Sequence, residues 1–566
     1  MLRRRFQDNK HKISWGREKI RISRRKSSAK MGASTSSEQS VPIEQREAES
    51  LAASTGALST LQKCFSNLAD PQSGAIPTDS LQQCFRLSYE NPVTGAFEIP
   101  DSFPAVLDQL GSCVVDLFFV SEKGGVSWIE LVRGYNRCCA RKPLSMCVTT
   151  LLRVFTVTLK KAGLNCNLEF ETGDDDCKIS GWLMPVDVVM LLWMCWGMSW
   201  CCRSREFSKE KGSLCLPDVK HIVLSAVESC GEGDSGLNVW ECEVSGLEVR
   251  LPVGKFVSWV MKTVPSLPGC FTEFVYAVLK HSASEEARPE CSTSSAADSS
   301  STGACSSDLL SPGIAWAISL TLTGPLSEEI SRACFPTDAN AINNDLLYRS
   351  HLHGRGLNRF WSNVQGYQGP LLVLISATSE DGSANKRNWI IGALTHQGFE
   401  NRDLFYGSSG SLYALSPVFH MYPPTGKERN YVYSHLHPTG KVYEAKPKPV
   451  GIGFGGSIGN ERIYVDEDFS KVTIRHHAVD KTYQSGSLFP DQGFLPVEAL
   501  ITEVEIWGLG GRGAKEVQDS YKNREQLFTE QRRKVDLKTF ANWEDSPEKM
   551  LMDMISNPNV IRREDR

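Results

Sequence analysis

The chain has 566 residues, 41% of them hydrophobic and 23% charged, with a formal net charge of −4. These proportions belong to ordinary globular domains and exclude a wholly disordered chain or a collagen-like fibre; at roughly 100–200 residues per domain they suggest about three domains, or two plus tails. The overall balance gives no global field for nucleic acid. Locally it is uneven, because twelve Lys and Arg fall within residues 1–30 against only Asp8 and Glu18, so a basic leader precedes an acidic body.

Residues 1–60 read as that leader and a flexible tail rich in Ser, Ala and Glu, with apolar periodicity beginning only at Leu61. No apolar stretch follows the basic residues, so a secretory signal is not expected. Arg24-Arg25-Lys26 gives the leader the make-up of a nuclear or nucleolar signal, and its Arg-rich composition also fits a transit peptide. Met31-Gly32-Ala33-Ser34-Thr35-Ser36 fits the N-myristoylation pattern. That acylation needs a free α-amine, so Gly32 is a lipidation site only if Met31 is the start or processing exposes the glycine.

From 61 to 281 the pattern is helical, with Leu61, Phe65 and Leu68 on one face and Ile129 and Val132 on another. Two helix–loop–helix segments have the outline of EF-hands. Gly74 and Ile76 suit the turn and the β position of the first loop, but Ala69, Pro71, Ser73 and Ser80 stand where its ligands belong. Gly124, Val126 and Glu130 suit the second, where Phe119, Ser121 and Lys123 displace the other ligands. Calcium takes six to eight hard oxygens, largely carboxylate, so a helical scaffold without its metal is expected. Val188–Cys202 runs fifteen residues without a charge. A membrane span needs about 20, and Pro185, Asp187, Arg203 and Arg205 close its ends, so it reads as a buried core helix.

Eighteen cysteines lie between Cys64 and Cys334, singly or as the neighbours Cys138–Cys139 and Cys201–Cys202. This is the pattern of reduced, buried thiols, and the break after Cys334 marks two differently built halves. Residues 282–308, dense in Ser, Ala, Gly and Asp, read as a linker. A mostly antiparallel β domain follows over 309–510, in the runs Ile318–Leu322, Leu371–Ser376, Trp389–Leu394, Tyr431–Ser434, Arg462–Val465, Lys471–His476 and Leu500–Trp507. One helix, Leu357 to Val364, is embedded in it. Gly451–Gly456 lacks the Gly-Lys-Ser/Thr ending of a phosphate loop and reads as a tight turn or a close-packing device. The pairs His351/His353, His435/His437 and His476/His477 have no third ligand at metal spacing and read as polar-face residues. No Gly-x-Ser-x-Gly elbow supports a hydrolase. Residues 511–566 form a charged helical tail ending in Pro547–Ser556, where Met550, Leu551, Met554 and Ile555 make one apolar stripe.

The run Leu346-Leu347-Tyr348-Arg349-Ser350-His351-Leu352-His353-Gly354-Arg355-Gly356-Leu357-Asn358-Arg359-Phe360-Trp361 closely resembles the opening motif of the TLDc domain family. Ile391-Gly392-Ala393, Gly453-Phe454-Gly455-Gly456, Tyr464-Val465-Asp466-Glu467-Asp468-Phe469, Thr482-Tyr483 and Val504-Glu505-Ile506-Trp507-Gly508 follow in order, so the resemblance covers about Leu309 to Gly510. The layout is similar to the MTOR-associated branch of that family and its plant relatives, which have a Met-Gly start, a helical EF-hand-like region, the TLDc domain and a C-terminal helix. The leader and the long Ser-rich linker depart from it.

The resemblance implies an α+β protein: a mostly helical N-terminal domain, then a two-sheet antiparallel β-sandwich with flanking helices and a C-terminal helix. It implies Met31 as the start and Gly32 as the lipidated residue. It further implies a non-enzymatic adaptor, without cofactor or catalytic residues, that binds and regulates the vacuolar-type proton ATPase and supports oxidative-stress resistance. Partner contact would map onto Met550, Leu551, Met554 and Ile555; the competing role for that stripe is packing on its own TLDc domain. One acyl chain binds membranes only marginally, so a cytoplasmic pool exchanging with the cytosolic face of lysosomal or vacuolar membranes is expected. Neither nucleic acid nor a small-molecule substrate is expected. Two other readings compete. A thiol peroxidase would rest on Cys334, whose neighbours Ala333, Phe335 and Pro336 supply no charge to activate it. A nuclear or nucleolar stress-response interaction protein would rest on the basic leader.

Overall fold

The computed structural model describes residues 42–87, 89–94, 100–119, 124–171, 178–207, 213–232, 238–284, 309–335, 345–380, 386–437, 447–543 and 549. The chain falls into two compact units, one ending at Arg46 and one beginning at Glu47.

Helix α1 (Ile43–Ser54) lies where the sequence reads as flexible tail. Ala52 and Ala57 are buried, and the helix is tied down by Asn136 Nδ2 donating to Ala48 O (2.8 Å) and Trp128 Nε1 donating to Glu49 Oε1 (2.7 Å). Its buried residue is the small Ala52, which leaves no apolar period to read. Next come α2 (Leu58–Leu68), α3 (Thr78–Phe85), α4 (Phe103–Phe118) and α5 (Trp128–Cys139), the two EF-hand-like pairs. Gly74 and Gly124 adopt the positive φ that each loop requires. Ile76 pairs with Val126 across a short antiparallel ladder that joins the two loops. A capping box starts α5: Glu130 N–H donates to Ser127 Oγ, and Ser127 N–H donates to Glu130 Oε2 at 2.7 Å.

The helical half continues through α6 (Leu144–Lys161), α7 (Pro185–Phe207), α8 (Lys220–Cys230), α9 (Val253–Thr263) and α10 (Gly269–Ser282). Helix α7 is long and apolar enough to cross a membrane, and 78% of the relevant stretch is buried inside the protein. Its indoles are satisfied within that core, Trp193 Nε1 donating to Pro217 O (3.0 Å) and Trp196 Nε1 to Cys215 O (2.9 Å). Two helices open the C-terminal half, α11 (Pro312–Ser319) and α12 (Pro325–Cys334). Ser311 Oγ accepts from Ile314 N–H, and Pro312 presets the first turn. The predicted strand Ile318–Leu322 is therefore the end of a helix, a correction that this cap explains.

Among the described residues eleven strands form one antiparallel sheet: β1 (Leu346–Arg349), β2 (Leu371–Glu380), β3 (Lys386–Thr395), β4 (Arg402–Tyr406), β5 (Gly410–Ser416), β6 (His420–Tyr422), β7 (Val432–His435), β8 (Gly451–Ser457), β9 (Asn460–Asp466), β10 (Lys471–Ile474) and β11 (Val497–Gly508). Their order is β4-β7-β8-β9-β10-β11-β2-β3-β5-β6, with β1 on β11. Helix α13 (Leu357–Val364) falls where the sequence placed it. The glycine run 451–456 is strand β8 and not a turn. A Cβ on Gly453 would stand 2.7 Å from Glu461 Cγ, and one on Gly456 2.3 Å from Asn460 O, so the glycines admit close neighbours.

Strands distant along the sheet meet in one cluster: Val373 and Ile375 of β2, Ile391 of β3, Phe454 of β8, Ile463 of β9, Ile474 of β10 and Ile506 of β11. The sheet therefore curls into two layers around a single interior. Alternate residues point the other way, and Leu372, Leu374, Leu394, Tyr413 and Leu415 join the core of the helices. Glu505, fully buried, ties the seam. It accepts from the N–H groups of Leu309 (2.9 Å) and Leu310 (3.2 Å) and from Trp507 Nε1 (2.9 Å), with the Arg349 guanidinium 3.0 Å away.

Inside the sheet, Arg462 and Asp480 are both fully buried and 3.3 Å apart. Arg462 also donates to Gln484 O (2.8 Å) and Gly486 O (2.7 Å), and Asp480 Oδ1 accepts from Thr482 N–H (2.8 Å). Removing one member strands the other charge, at a cost of about 3–5 kcal/mol. Asp480→Ala should therefore lower urea stability by about that amount, and pairing it with Arg462→Met should restore much of the loss. Circular dichroism through a urea titration measures both.

Candidate functional site

The sheet ends by launching helix α14 (Gly511–Trp543), roughly 50 Å long at 1.5 Å per residue. Its first three turns are seated on the β domain. Gly510 N–H donates to Tyr367 OH (2.7 Å), and Leu509 N–H donates to Pro370 O (2.8 Å). Ala514 packs where Gly369 and Gly510 lack side chains, and the Tyr521 ring occupies the space that a Cβ on Gly366 would need, 2.5 Å away.

The polar part of the seat is the C-terminus of α13, whose last carbonyls have no partner within their own helix. Gln518, fully buried, donates Nε2 to Asn363 O (2.8 Å) and Gln365 O (3.3 Å). Lys522 Nζ donates to Asn363 O (3.0 Å), a cation at the negative end of a helix dipole. Burial lowers the Lys522 pKa, and Lys515 nearby lowers it further. Gln365 Nε2 completes the seat by donating to Tyr521 OH (2.7 Å).

Beyond Lys522 the helix leaves the domain. Every side chain described from Asn523 to Lys534 is exposed, including Leu527 (60%) and Phe528 (62%), with the Arg532 guanidinium 5.9 Å from the Phe528 ring. The helical backbone continues to Trp543, and the exposed stretch 523–534 alone spans about 18 Å. Leu527 and Phe528 are thus adjacent apolar side chains exposed inside a charged run.

The sequence-predicted stripe Met550, Leu551, Met554 and Ile555 lies outside the described residues, as does Gly32. Sequence reasoning missed Gln518, Lys522, Leu527 and Phe528. The Leu527-Phe528 pair was the available signal, an apolar step in an otherwise polar helix.

The other constellations have local roles. Glu130 is held by its capping box with Ser127, and Asp70 accepts from Gln72 N–H (3.3 Å) and Ser73 N–H (3.1 Å). Among the described residues no group of three His, Cys, Asp or Glu side chains is arranged to hold a metal. His351 and His353 lie on a single helical turn, Ser350–His353, and not on a strand. His353 Nδ1 accepts from Arg349 N–H (2.9 Å) and His476 Nδ1 from Ala478 N–H (3.2 Å). Glu503 receives the Ser350 hydroxyl and the His351 N–H on one oxygen, with His351 Nδ1 on the other. In a nucleophilic triad the imidazole stands between hydroxyl and carboxylate. Here the carboxylate stands between them and Ser350 is buried, so the imidazole is not placed to take the hydroxyl proton. Cys334 is buried, and desolvation pushes its thiol far above the ordinary range despite Arg203 nearby.

Residues 319–510 match the family model described as the TLDc domain, and the chain therefore carries a TLDc domain. Proteins named MTOR-associated protein MEAK7 are similar to it over a shorter stretch. The one from Danio rerio is 24% identical over 178 residues, covering 31% of this chain and 35% of the relative. The one from Mus musculus is 26% identical over 183 residues, covering 31% and 36%. The one from Homo sapiens is 24% identical over 166 residues, covering 29% and 32%. The chain thus spans about a third of the length of the curated relatives it matches.

Two outcomes follow from this geometry. Each seat hydrogen bond contributes about 1 kcal/mol, and Gln518 makes two. Gln518→Ala with Lys522→Ala should therefore raise amide exchange in the first three turns of α14 at least tenfold and leave the β-sheet protected, as hydrogen–deuterium exchange would report. Native-state alkylation should label Cys215, exposed on the strand Ser213–Leu216, and should reach Cys334 only after unfolding. Peptide mass spectrometry reads both thiols.

Proposed function

We propose that this protein is a non-enzymatic adaptor that presents α14 to a macromolecular partner. A regulatory, adaptor-type role is supported by the TLDc match and by relatives whose name associates them with MTOR. The single observation that carries the reading is the exposed stretch 523–534 of α14, with Leu527 and Phe528 exposed on a helix anchored at its root. Rigid anchoring lowers the entropy lost when such a helix docks, which is the usual advantage of a preorganised element.

The partner we propose is the vacuolar-type proton ATPase, engaged from the cytosolic face of lysosomal or vacuolar membranes, in a role linked to oxidative-stress resistance. In a chain starting at Met31, myristoylated Gly32 adds weak membrane affinity, and the partner contact supplies the second signal that stable residence needs. Met550, Leu551, Met554 and Ile555 extend the same apolar contact. A cytoplasmic pool in exchange with membranes follows.

The test titrates the full chain, and a chain starting at Met31 with and without its acyl group, into purified ATPase while following co-sedimentation and ATP hydrolysis. Saturable binding is expected, and the hydrolysis trace gives the sign of regulation. Leu527→Glu with Phe528→Glu should weaken binding about 30-fold, the effect of losing about 2 kcal/mol at a hot spot. Absence of binding at micromolar protein in all three forms would overturn the proposal and favour the nuclear or nucleolar reading, which rests on residues 1–30.

A further inference from the structure

A cleft of about 470 Å³ opens where the helical half meets the outer face of the sheet. It lies within the size range of small-molecule sites, about 300–1,000 Å³. The first residues of α8 and α11 reach it from one side, and β3 and β5 from the other. Trp240, Ile390 and Leu415 give it apolar walls.

Its charges are unevenly satisfied. Asp218 Oδ1 accepts from Lys220 N–H (2.8 Å), and Glu241 Oε2 accepts from Asn238 Nδ2 (3.2 Å), so both carboxylates are engaged within the wall. Arg387 stacks 5.2 Å from the Trp240 ring and lies 3.4 Å from Asp491. Lys220 and Lys386 line the same cleft, and neither ammonium has an ion-pair partner among the described residues. The α8 and α11 N-termini add partial positive charge of the same sign. In the lining Lys220, Lys386 and Arg387 exceed Asp218 and Glu241 by one positive charge, and that excess beside an indole and a pair of aliphatic side chains is complementary to a molecule with an anionic head and an apolar body.

We propose that this cleft binds a small organic anion, its phosphate or carboxylate head against Lys220 and Lys386 and its ring or short apolar body against Trp240, Ile390 and Leu415. The walls come from both halves of the protein, so an occupant braces the seam between them and stabilises the folded chain by mass action. The site is separate from α14 and does not depend on the partner proposed above.

Calorimetric titration of the full chain with phenyl phosphate, benzoate and inorganic phosphate tests this directly. Phenyl phosphate or benzoate should bind saturably in the millimolar range or below, the tighter of the two identifying the head group. Inorganic phosphate, lacking the apolar body, should bind at least tenfold more weakly. Lys220→Glu with Lys386→Glu should reduce aryl-anion affinity at least tenfold without changing the melting temperature of the unliganded protein. If that double variant misfolds, Lys386→Ala, at an exposed position, should reduce the affinity severalfold. Trp240→Ala should weaken the aryl anions and leave inorganic phosphate unchanged. Failure of both aryl anions to saturate at millimolar concentration would overturn the proposal, as would undiminished binding in a folded lysine variant.

Discussion

A β-sheet that is apolar on both faces must be covered twice, and much of this molecule answers that requirement. The inner face is covered by curling, which brings strands from opposite ends of the sheet into one cluster. The outer face carries Leu372, Leu374, Leu394 and Leu415, and the helical half covers it. Exposing a leucine that is now buried costs about 1.5–3 kcal/mol. Four of them amount to roughly 6–12 kcal/mol, as much as the whole stability of an ordinary domain at about 5–15 kcal/mol. The helices are therefore part of what makes the β domain stable, and from Glu47 onward the described chain forms one compact unit.

The joint between the halves is polar as well as apolar. Glu505 sits on the central strand β11 and holds the backbone of Leu309 and Leu310, the first residues after the Ser-rich stretch. Burial raises the pKa of this carboxyl, while its three hydrogen-bond donors and the Arg349 charge favour the ionised form. Beside this joint the two halves fit incompletely, and the cleft with Lys220 and Lys386 is a gap between them. A seam between two such halves is a common location for ligands, because neither side alone has to close it.

Much of this was legible in the sequence. The strands Arg462–Val465 and Leu500–Trp507 and the helix Leu357–Val364 announced themselves through period and apolar content, and all three are present in β9, β11 and α13. The EF-hand outline was legible for a different reason: a positive-φ glycine and an apolar residue two positions later are required by the loop and its ladder, whether or not metal ligands survive. What escaped was set by tertiary neighbours. Gly451–Gly456 reads as a tight turn or a close-packing device, and only Glu461 and Asn460 beside it show that the second reading holds and that the run is a strand. Helix α1 hides behind the small Ala52, and Ile318 belongs to a helix because Ser311 caps it seven residues earlier. Gln518 carries no signal at all in sequence, since its role is to complete the end of another helix.

The same dependence explains the form of α14. A free helix gains little per residue and frays readily, so a 33-residue helix of mostly polar composition needs a fixed root. Gln518 and Lys522 supply it by taking up carbonyls of α13 that would otherwise be orphaned, so each helix end completes the other. The seat also fixes direction. Gly366, Gly369 and Gly510 let Tyr521 and Ala514 approach the domain closely, and bulkier residues there would tilt the helix out of place. Past Lys522 no side chain described up to Lys534 is buried, so nothing in the fold itself accounts for Leu527 and Phe528. In the proposed adaptor role, a helix held firmly at one end presents these exposed apolar residues, at a fixed distance from its anchor, to a surface other than its own.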